Sequence, residues 1–183
     1  MRKVFEYSHL GGAEILKLRF PQINHEIDSA IHAVAIGSKN KVSREKTKRG
    51  RLLYAPKEIN RKLEVEFRKY GFKELRDTYD IEIRGSGLPP VRGVFKQIDF
   101  AKGRVLVEAQ FGKYAFMFYD MAKFQYFFNE MKADVGVEIV PWHGLSRQMS
   151  SGVSYGEQLI SDIERLRRHF PAVPVKIILV DVA

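Results

Sequence analysis

Residues 97–110, QIDFAKGRVLVEAQ, constrain the fold more than any other part of the sequence. Two runs with the apolar–polar alternation of β-strands flank Lys102 and Gly103, and glycine accepts the positive φ that a tight hairpin turn requires. The stretch therefore predicts a β-hairpin in which Asp99 faces Leu106. Residues two apart in a strand share a face. One face of the hairpin is therefore expected to be polar, with Gln97, Asp99, Glu108 and Gln110. The other face is expected to be apolar, with Ile98, Phe100, Val105, Val107 and Ala109.

The polar face brings the carboxylates of Asp99 and Glu108 close together. Like charges side by side repel each other, and a sheet gains nothing from them. A hard divalent cation such as Mg²⁺ binds carboxylate oxygens and would remove the repulsion. The hairpin is therefore either a metal site or an ordinary amphipathic hairpin with a solvated acidic face. The spacing alone does not decide between these two.

Length and composition are those of a globular protein. We expect a single domain over residues 1–183, since this length is enough for a substantial core. The absence of cysteine excludes disulfides and thiolate zinc sites. The first residues, MRKVFEYSHL, lack the apolar stretch of a signal peptide, and no run approaches the length of a membrane span. We therefore expect a soluble, cytoplasmic protein.

The charge favours a polyanionic partner. The chain carries 31 basic and 22 acidic residues, a net charge of +9, and nucleic acid is the first partner to consider. Residues 38–51, SKNKVSREKTKRGR, contain seven Lys or Arg and one acid, Glu45. We expect a mobile, solvated loop there. It is either a plain surface loop or a DNA-backbone contact that becomes ordered on binding, and we favour the second.

The remaining patterns predict helices followed by alternating strands and helices. Apolar periodicity and helix-ending residues indicate helices at 9–20, 21–37, 56–71, 114–131 and 155–169. Strands are expected at 4–7, 78–84, 134–141 and 174–182 in addition to the hairpin. This order predicts an α/β domain with a mixed sheet and helices on both faces. The helix at 114–131 has eight aromatic residues on more than one face, which indicates either a dimer contact or a central helix in a thick core.

Most hydrolytic motifs are absent. The five histidines form neither HxH nor HExxH, and the sequence has no Walker-type glycine loop and no GxSxG element. The remaining candidate is Asp99, eight intervening residues, and then Glu108-Ala109-Gln110. One carboxylate from each strand and the backbone carbonyl of Ala109 would bind Mg²⁺, which suits metal-assisted attack on a phosphodiester. Gln110 carries no charge but is able to orient a water molecule or a phosphate oxygen.

Several segments resemble one family. IDFAKGRVLVEAQFGKYAF is similar to the catalytic hairpin of the BglII/BstYI group of type II restriction endonucleases. This group belongs to the nuclease superfamily with an Asp…Glu-x-Lys motif and replaces the lysine by glutamine, as Gln110 does here. VFEYSHLGG, SREKTKRGRLLYAP, DVGVEIVP and MSSGVSYGE also resemble the BstYI-like branch, in the same order along the chain.

The resemblance implies a restriction-endonuclease-like fold and a Mg²⁺-dependent homodimer. Such a dimer would cut both strands of a palindromic double-stranded DNA site with a GATC core. A restriction–modification system would also supply a companion DNA methyltransferase. Alternatives are a structure-specific nuclease of repair or recombination, and a catalytically inactive DNA-binding protein with the same fold.

The resemblance also implies roles for individual residues. Asp99 and Glu108 would bind the metal, and Gln110 would complete the catalytic set. Lys113 would read guanine in the major groove. A second base-reading loop would comprise Ser150, Ser151, Ser154 and Tyr155. Phosphate contacts in the basic loop would come from Lys46, Lys48 and Arg49.

The chain departs from the family pattern at three places. The segment 83–94 is short, Gly156 stands where the family has a second tyrosine after Tyr155, and no proline precedes Asp99. Because of the first two departures, the resemblance does not determine the identity of the outer base pairs of the DNA site. We expect Glu138 to be a packing residue, or an acid that lies just behind the metal ligands.

Overall fold

The structure is a computed structural model that describes residues 1–182. Its helices are α1 (Gly12–Arg19), α2 (Pro21–Ala33), α3 (Pro56–Lys69), α4 (Tyr114–Asn129), α5 (His143–Ser146) and α6 (Gly156–Leu166). Its strands are β1 (Arg2–His9), β2 (Lys41–Val42), β3 (Leu52–Leu53), β4 (Lys73–Ile81), β5 (Val91–Lys102), β6 (Val105–Ala109), β7 (Val135–Pro141) and β8 (Val175–Asp181).

Six strands form one mixed sheet in the order β1-β8-β7-β6-β5-β4. The central strands β6, β7 and β8 are parallel, and the outer pairs are antiparallel. Parallel strands need crossover connections, which α4 and α6 provide here, and such strands are covered on both faces. All residues of β6, β7 and β8 are accordingly buried.

Two apolar cores lie on opposite faces of this sheet. On one face, α1, α2 and α3 pack with residues that include Leu16, Ile27, Ile31, Leu63, Phe67, Val105 and Val107. On the other face, α4 and α6 contribute Met117, Met121, Phe124, Leu159 and Ile163 against Leu106. The predicted α/β class with a mixed sheet and helices on both faces is confirmed.

Prolines and glycines mark the helix boundaries well. Pro21 begins α2, Pro56 begins α3, and Gly71 follows α3 with a φ of +79°. The first helix starts later than predicted because β1 continues to His9, which pairs with Val175 of β8. Within residues 1–182, no helix combines the length and the apolar character needed to cross a bilayer.

Two segments are more regular than their sequences indicate. Strand β4 begins at Lys73, five residues before the predicted start, because it pairs with β5 along most of its length. The segment 38–51, predicted as a loop, consists mainly of turns and coil, and it also contains β2, which pairs with β3 just beyond it. Ser43 is buried, and its backbone exchanges hydrogen bonds with Arg51 and Gly50 at 2.9 Å each.

Candidate active site

The hairpin forms between β5 and β6, but its turn lies one residue later than predicted. Lys102 pairs with Val105 and Phe100 with Val107, so the turn residues are Gly103 and Arg104. Gly103 has a φ of +57°, which the absence of a Cβ makes favourable. Ala101, and not Asp99, pairs with Leu106, and the pairing stops at Phe100 and Val107, one residue short of Asp99 and Glu108. The prediction that Asp99 faces Leu106 is therefore wrong.

A β-bulge in β5 reorganises the faces of the hairpin. Lys73 of β4 pairs with Ala101, and Leu75 pairs with Ile98, so three steps along β5 match two along β4. Ile98 consequently packs on the face of α4, whereas Phe100 packs on the face of α3. The prediction that these two residues share a face is wrong. Bulges re-aim side chains beside active sites, and here the bulge contains the exposed Asp99.

The strands β5 and β6 separate next to Asp99, which leaves a backbone carbonyl available. The recorded pairs between these strands end at Phe100 and Val107. The backbone N–H of Gln110 donates to Ile139 of β7 at 2.9 Å. In a trans peptide the carbonyl points away from the N–H, so the Ala109 carbonyl points from β7 towards the gap between β6 and β5.

Three buried carboxylates lie behind Asp99 on the face of α4. Glu108 is 3% exposed and is in register with Glu138 of β7, which is 0% exposed; Asp120 of α4 is 2% exposed. Burial, together with the charges of Asp120 and Asp99, raises the pKa of Glu108 well above its ordinary value. Burial also raises the pKa of Glu138, to which Asp120 and Glu108 add. Neither carboxylate oxygen of Glu138 has a hydrogen-bond partner.

One cation lies among these acids. Lys123 Nζ is 2.5 Å from Glu108 Oε1 and 2.8 Å from Asp120 Oδ1. Burial by itself lowers the pKa of Lys123, but the charges of Glu108 and Asp120 outweigh it, so the pKa lies above its ordinary value. Burial likewise raises the pKa of Asp120, although Lys123 partly opposes the shift. We call Glu108, Asp120, Glu138 and Lys123 the charge cluster.

Gln110 adjoins the charge cluster. Its amide Nε2 donates to Asp120 Oδ2 at 3.3 Å. A Cβ on Gly112 would lie 2.6 Å from Gln110 Oε1. A side chain at position 112 would therefore displace the amide, and the glycine keeps the space that Gln110 occupies.

The residues present fit a hard divalent cation. Asp99, Glu108 and the Ala109 carbonyl offer only oxygen ligands, which Mg²⁺ prefers, and the unpartnered carboxylate of Glu138 lies beside them. Within residues 1–182, no three acidic or histidine side chains converge closely enough to bind a metal as they stand. The ammonium of Lys123 contacts Glu108 in this arrangement.

The predicted base-reading residues lie next to the hairpin. The backbone N–H of Ser154 donates to the Gly112 carbonyl at 2.8 Å, which joins the serine loop to the segment that carries Lys113. Lys113 and Ser151 are exposed, and Ser150 is partly exposed. Ser154 is only 9% exposed, and its hydroxyl lies 3.5 Å from Gln158 Oε1. Tyr155 packs edge-on against His143, with 4.8 Å between the ring centres.

The basic segment is bonded to the same serine loop. Lys48 Nζ donates to the carbonyls of Arg147 and Met149 at 3.1 and 2.7 Å. Glu45 accepts from the backbone N–H of Ser151 at 3.1 and 3.0 Å. Lys48 thus connects two loops, whereas Lys46 and Arg49 are exposed. Of the three predicted phosphate contacts, Lys48 is the one with intramolecular partners.

Sequence reasoning missed Asp120 and Lys123. Both lie on α4, which the sequence analysis interpreted only through its aromatic residues. A signal was present, since Asp120 occupies a position of the buried stripe that also contains Met117, Met121 and Phe124. A lone acid in such a stripe, with a lysine three residues later, indicates a buried ion pair.

Comparisons with known proteins identify one family and one fold. The family described as restriction endonuclease BglII/BglIII matches residues 4–180. No curated protein matches the chain. A crystal structure of restriction endonuclease BglII complexed with a DNA 16-mer has a TM-score of 0.76 and 23% identity, and covers 99% of this chain and 79% of that chain. Free BglII has a TM-score of 0.68 and 21% identity, over 99% of this chain and 80% of that chain.

Proposed function

Because the chain belongs to the BglII/BglIII family of restriction endonucleases and is therefore a type II restriction endonuclease, we propose that it is a Mg²⁺-dependent homodimer. It hydrolyses one phosphodiester bond in each strand of a palindromic DNA site with a GATC core. The observation that carries this proposal is the position of Asp99, Glu108 and Gln110, which lie where β5 and β6 separate. A companion methyltransferase that protects the same site completes the restriction–modification system.

The metal ligands are Asp99, Glu108 and the backbone carbonyl of Ala109. Asp99 lies in the bulge of β5, and Glu108 lies at the buried end of β6. The carbonyl of Ala109 points away from β7 towards the gap between β6 and β5. Mg²⁺ held by these groups would lower the pKa of a water ligand and neutralise charge on the phosphate. The all-oxygen ligand set supports Mg²⁺ over a softer metal.

Gln110 positions the attacking water or a phosphate oxygen. Its amide Nε2 donates to Asp120, so the orientation of the amide is fixed and Oε1 accepts a hydrogen bond from the water. The buried Asp120 is thus a positioning residue for Gln110. Holding the reacting groups in one geometry accounts for a large part of the rate of such reactions.

DNA is recognised by residues on both sides of Gly112. Lys113 donates to guanine O6 and N7 in the major groove. Ser150, Ser151, Ser154 and Tyr155 form the second base-reading loop, with Ser154 setting the position of that loop through Gly112. Lys46 and Arg49 contact phosphates, and Lys48 connects the phosphate-binding segment to the base-reading loop.

The twofold arrangement follows from the task of cutting both strands. Two identical subunits related by a twofold axis match the symmetry of a palindromic duplex. The structure of BglII complexed with a DNA 16-mer, with its TM-score of 0.76, supports DNA as the partner. The resemblance of the chain to the BglII/BstYI group supports the GATC core.

Cleavage of plasmid DNA tests this proposal. The wild-type protein with Mg²⁺ is expected to give discrete fragments whose ends map to one GATC-containing site, and Asp99→Ala is expected to lower cleavage by at least about 1,000-fold. Lys17→Ala, on the surface of α1, serves as the control. A uniform smear or a preference for branched DNA would indicate a repair nuclease. Duplex binding without cleavage would indicate an inactive fold, and full activity of Asp99→Ala would overturn the metal site.

A further inference from the structure

The charge cluster contains a lysine that the family motif does not include. Lys123 Nζ contacts Glu108 Oε1 and Asp120 Oδ1 at 2.5 and 2.8 Å, and its side chain is 13% exposed. We propose that Lys123 is a catalytic residue whose ammonium contacts the scissile phosphate and supplies the positive charge that Gln110 lacks. This inference rests on the proposed function, because it assigns a further residue to the same cleavage site.

Because residue 110 is a glutamine and not a lysine, the hairpin supplies no cation to the cleavage site. Its amide is neutral at every accessible pH, and its Nε2 is directed at Asp120 Oδ2, 3.3 Å away. Asp120 therefore accepts from Gln110 through one oxygen and from Lys123 through the other. One buried carboxylate thus holds the neutral amide of β6 and the ammonium of α4 side by side.

Lys123 is placed at the reacting centre by its contact with Glu108. A phosphate that approaches the metal ligands also approaches any group bonded to them. The ammonium is carried on a flexible four-carbon stem with three rotatable donors, and it keeps its contact with Asp120 while it turns to a new partner. The side chain is partly exposed and is therefore not sealed in the core.

The acids around Lys123 come from three elements. Lys123 contacts Glu108 of β6 and Asp120 of its own helix, and Glu138 of β7 is in register with Glu108. Tyr119 adds an aromatic ring at 5.9 Å. Among residues 1–182, Lys123 is the one lysine or arginine that forms ion pairs with the acids of the charge cluster.

In the hydrolysis, Lys123 acts through its charge alone. The oxygen of water forms a bond to phosphorus, and the bond from phosphorus to the leaving sugar oxygen breaks. Water loses a proton to solvent and the sugar oxygen gains one, so atoms and charges balance without a proton from Lys123. Negative charge grows on the non-bridging phosphate oxygens, and the ammonium, held in place by Asp120, stabilises that charge.

Two substitutions separate charge from structural support. Lys123→Gln keeps N–H donors for Glu108 and Asp120 but removes the charge, whereas Lys123→Arg keeps the charge. Lys132→Met is the matched control, because Lys132 lies just after α4 and pairs with Asp77 at 2.7 Å, outside the cluster. Three quantities are measured: the single-turnover rate constant at saturating DNA and Mg²⁺, the Kd for DNA in Ca²⁺, and Mn²⁺ binding without DNA. Melting curves set a temperature at which every variant is folded.

Lys123→Gln is expected to lower the single-turnover rate constant about 100-fold, with the DNA Kd within about threefold of wild type. Mn²⁺ should bind as tightly as to wild type or more tightly, because a cation that competes for Glu108 has been removed. Lys123→Arg should cleave at least about tenfold faster than Lys123→Gln. Lys132→Met should match wild type in all three measurements.

Three results would overturn the inference. Cleavage by Lys123→Gln within about tenfold of wild type would show that the charge is not needed. Equal single-turnover rate constants for Lys123→Gln and Lys123→Arg would also show that the charge is not needed. Loss of Mn²⁺ binding in Lys123→Gln would show that Lys123 only holds Glu108 in place. The proposed function fails separately, if the wild-type protein does not cleave DNA with Mg²⁺ or if Asp99→Ala remains active.

Discussion

Glu138 shows how a single buried acid links the site to the stability of the fold. It is 0% exposed, and neither of its carboxylate oxygens has a hydrogen-bond partner. Burial, together with Asp120 and Glu108, raises its pKa well above the ordinary 4.5. Between 4.5 and the raised native value, the folded protein binds a proton that the unfolded chain has already lost. Folding stability must therefore fall as pH rises through that window.

The substitution Glu138→Gln tests the prediction that folding stability falls as pH rises. Glutamine is uncharged and nearly the same shape, so the variant should escape the pH-dependent loss, which amounts to about 1.4 kcal/mol for each unit of raised pKa. The melting temperature of the variant minus that of wild type, measured in EDTA, should become more positive from about pH 5 to about pH 8. Glu64→Gln, a substitution in the partly exposed Glu64–Arg68 pair of α3, is the control and should show a flat difference. A flat or falling difference for Glu138→Gln would contradict the prediction.

The proposed catalytic residues could be predicted from sequence because they lie in one local hairpin. A turn of two residues, which is a short-range property, brings their two strands together, whereas the place of Asp99 in the bulge depends on the pairing with β4. Asp120 and Lys123 reach the same place only through the packing of α4 on the sheet. Local sequence patterns do not determine how a helix packs on a sheet. The sequence analysis interpreted α4 only through its aromatic residues and therefore did not identify Asp120 and Lys123.

At the scale of elements, the β5 bulge was the main structural feature that sequence reasoning could not provide. Its position depends on pairing with β4, where Leu75 meets Ile98 and Lys73 meets Ala101. Helix starts at Pro21 and Pro56 were predictable, since proline needs no N–H donor in a first turn. The hydrogen bonds between the basic segment and the serine loop could not be predicted. They join residues about a hundred positions apart, and the sequence of 38–51 carries no signal for such contacts.

These loop contacts give a prediction about salt dependence. Lys46 and Arg49 are exposed, whereas Lys48 donates to the carbonyls of Arg147 and Met149. The double variant Lys46→Ala/Arg49→Ala should flatten the slope of log K against log salt by about 0.9 for each lost phosphate contact. Lys48→Met should change that slope less and should instead weaken discrimination between cognate and mismatched sites, because it loosens the base-reading loop. Filter binding at several salt concentrations, on both DNA sequences, measures the two effects.

The reverse pattern would contradict this division of roles. If Lys48→Met flattens the salt slope as much as the double variant does, Lys48 contacts phosphate directly. If the double variant leaves the slope unchanged, the segment 38–51 does not contact the DNA backbone. Lys69→Ala, at the far end of α3 and paired with Glu66 at 2.7 Å, serves as a control for the loss of surface charge.

At the scale of the whole molecule, α4 has more apolar surface than one subunit covers. Its inner side buries Met117, Met121, Phe124 and Phe127. Phe116 and Tyr119 remain 53% and 48% exposed, one turn apart and close to Lys113. The structure shows that α4 is a central helix, and we predict that its outer aromatic residues form the contact with a second copy of the chain.

Phe116→Glu tests whether this surface holds the dimer. A carboxylate placed on each side of a twofold interface would be desolvated next to apolar surface, and about 2 kcal/mol or more of association free energy should be lost. Light scattering without DNA should give wild-type protein a mass near twice the 21.2 kDa of the chain, and Phe116→Glu a mass near that of one chain. Leu18→Glu, on the 79% exposed Leu18 of α1, should remain dimeric. A dimeric Phe116→Glu protein would place the interface elsewhere, and a wild-type protein that is monomeric both alone and on DNA would contradict the homodimer itself. Since each subunit has one cleavage site, loss of the dimer should convert double-strand cutting into slow nicking of the plasmid.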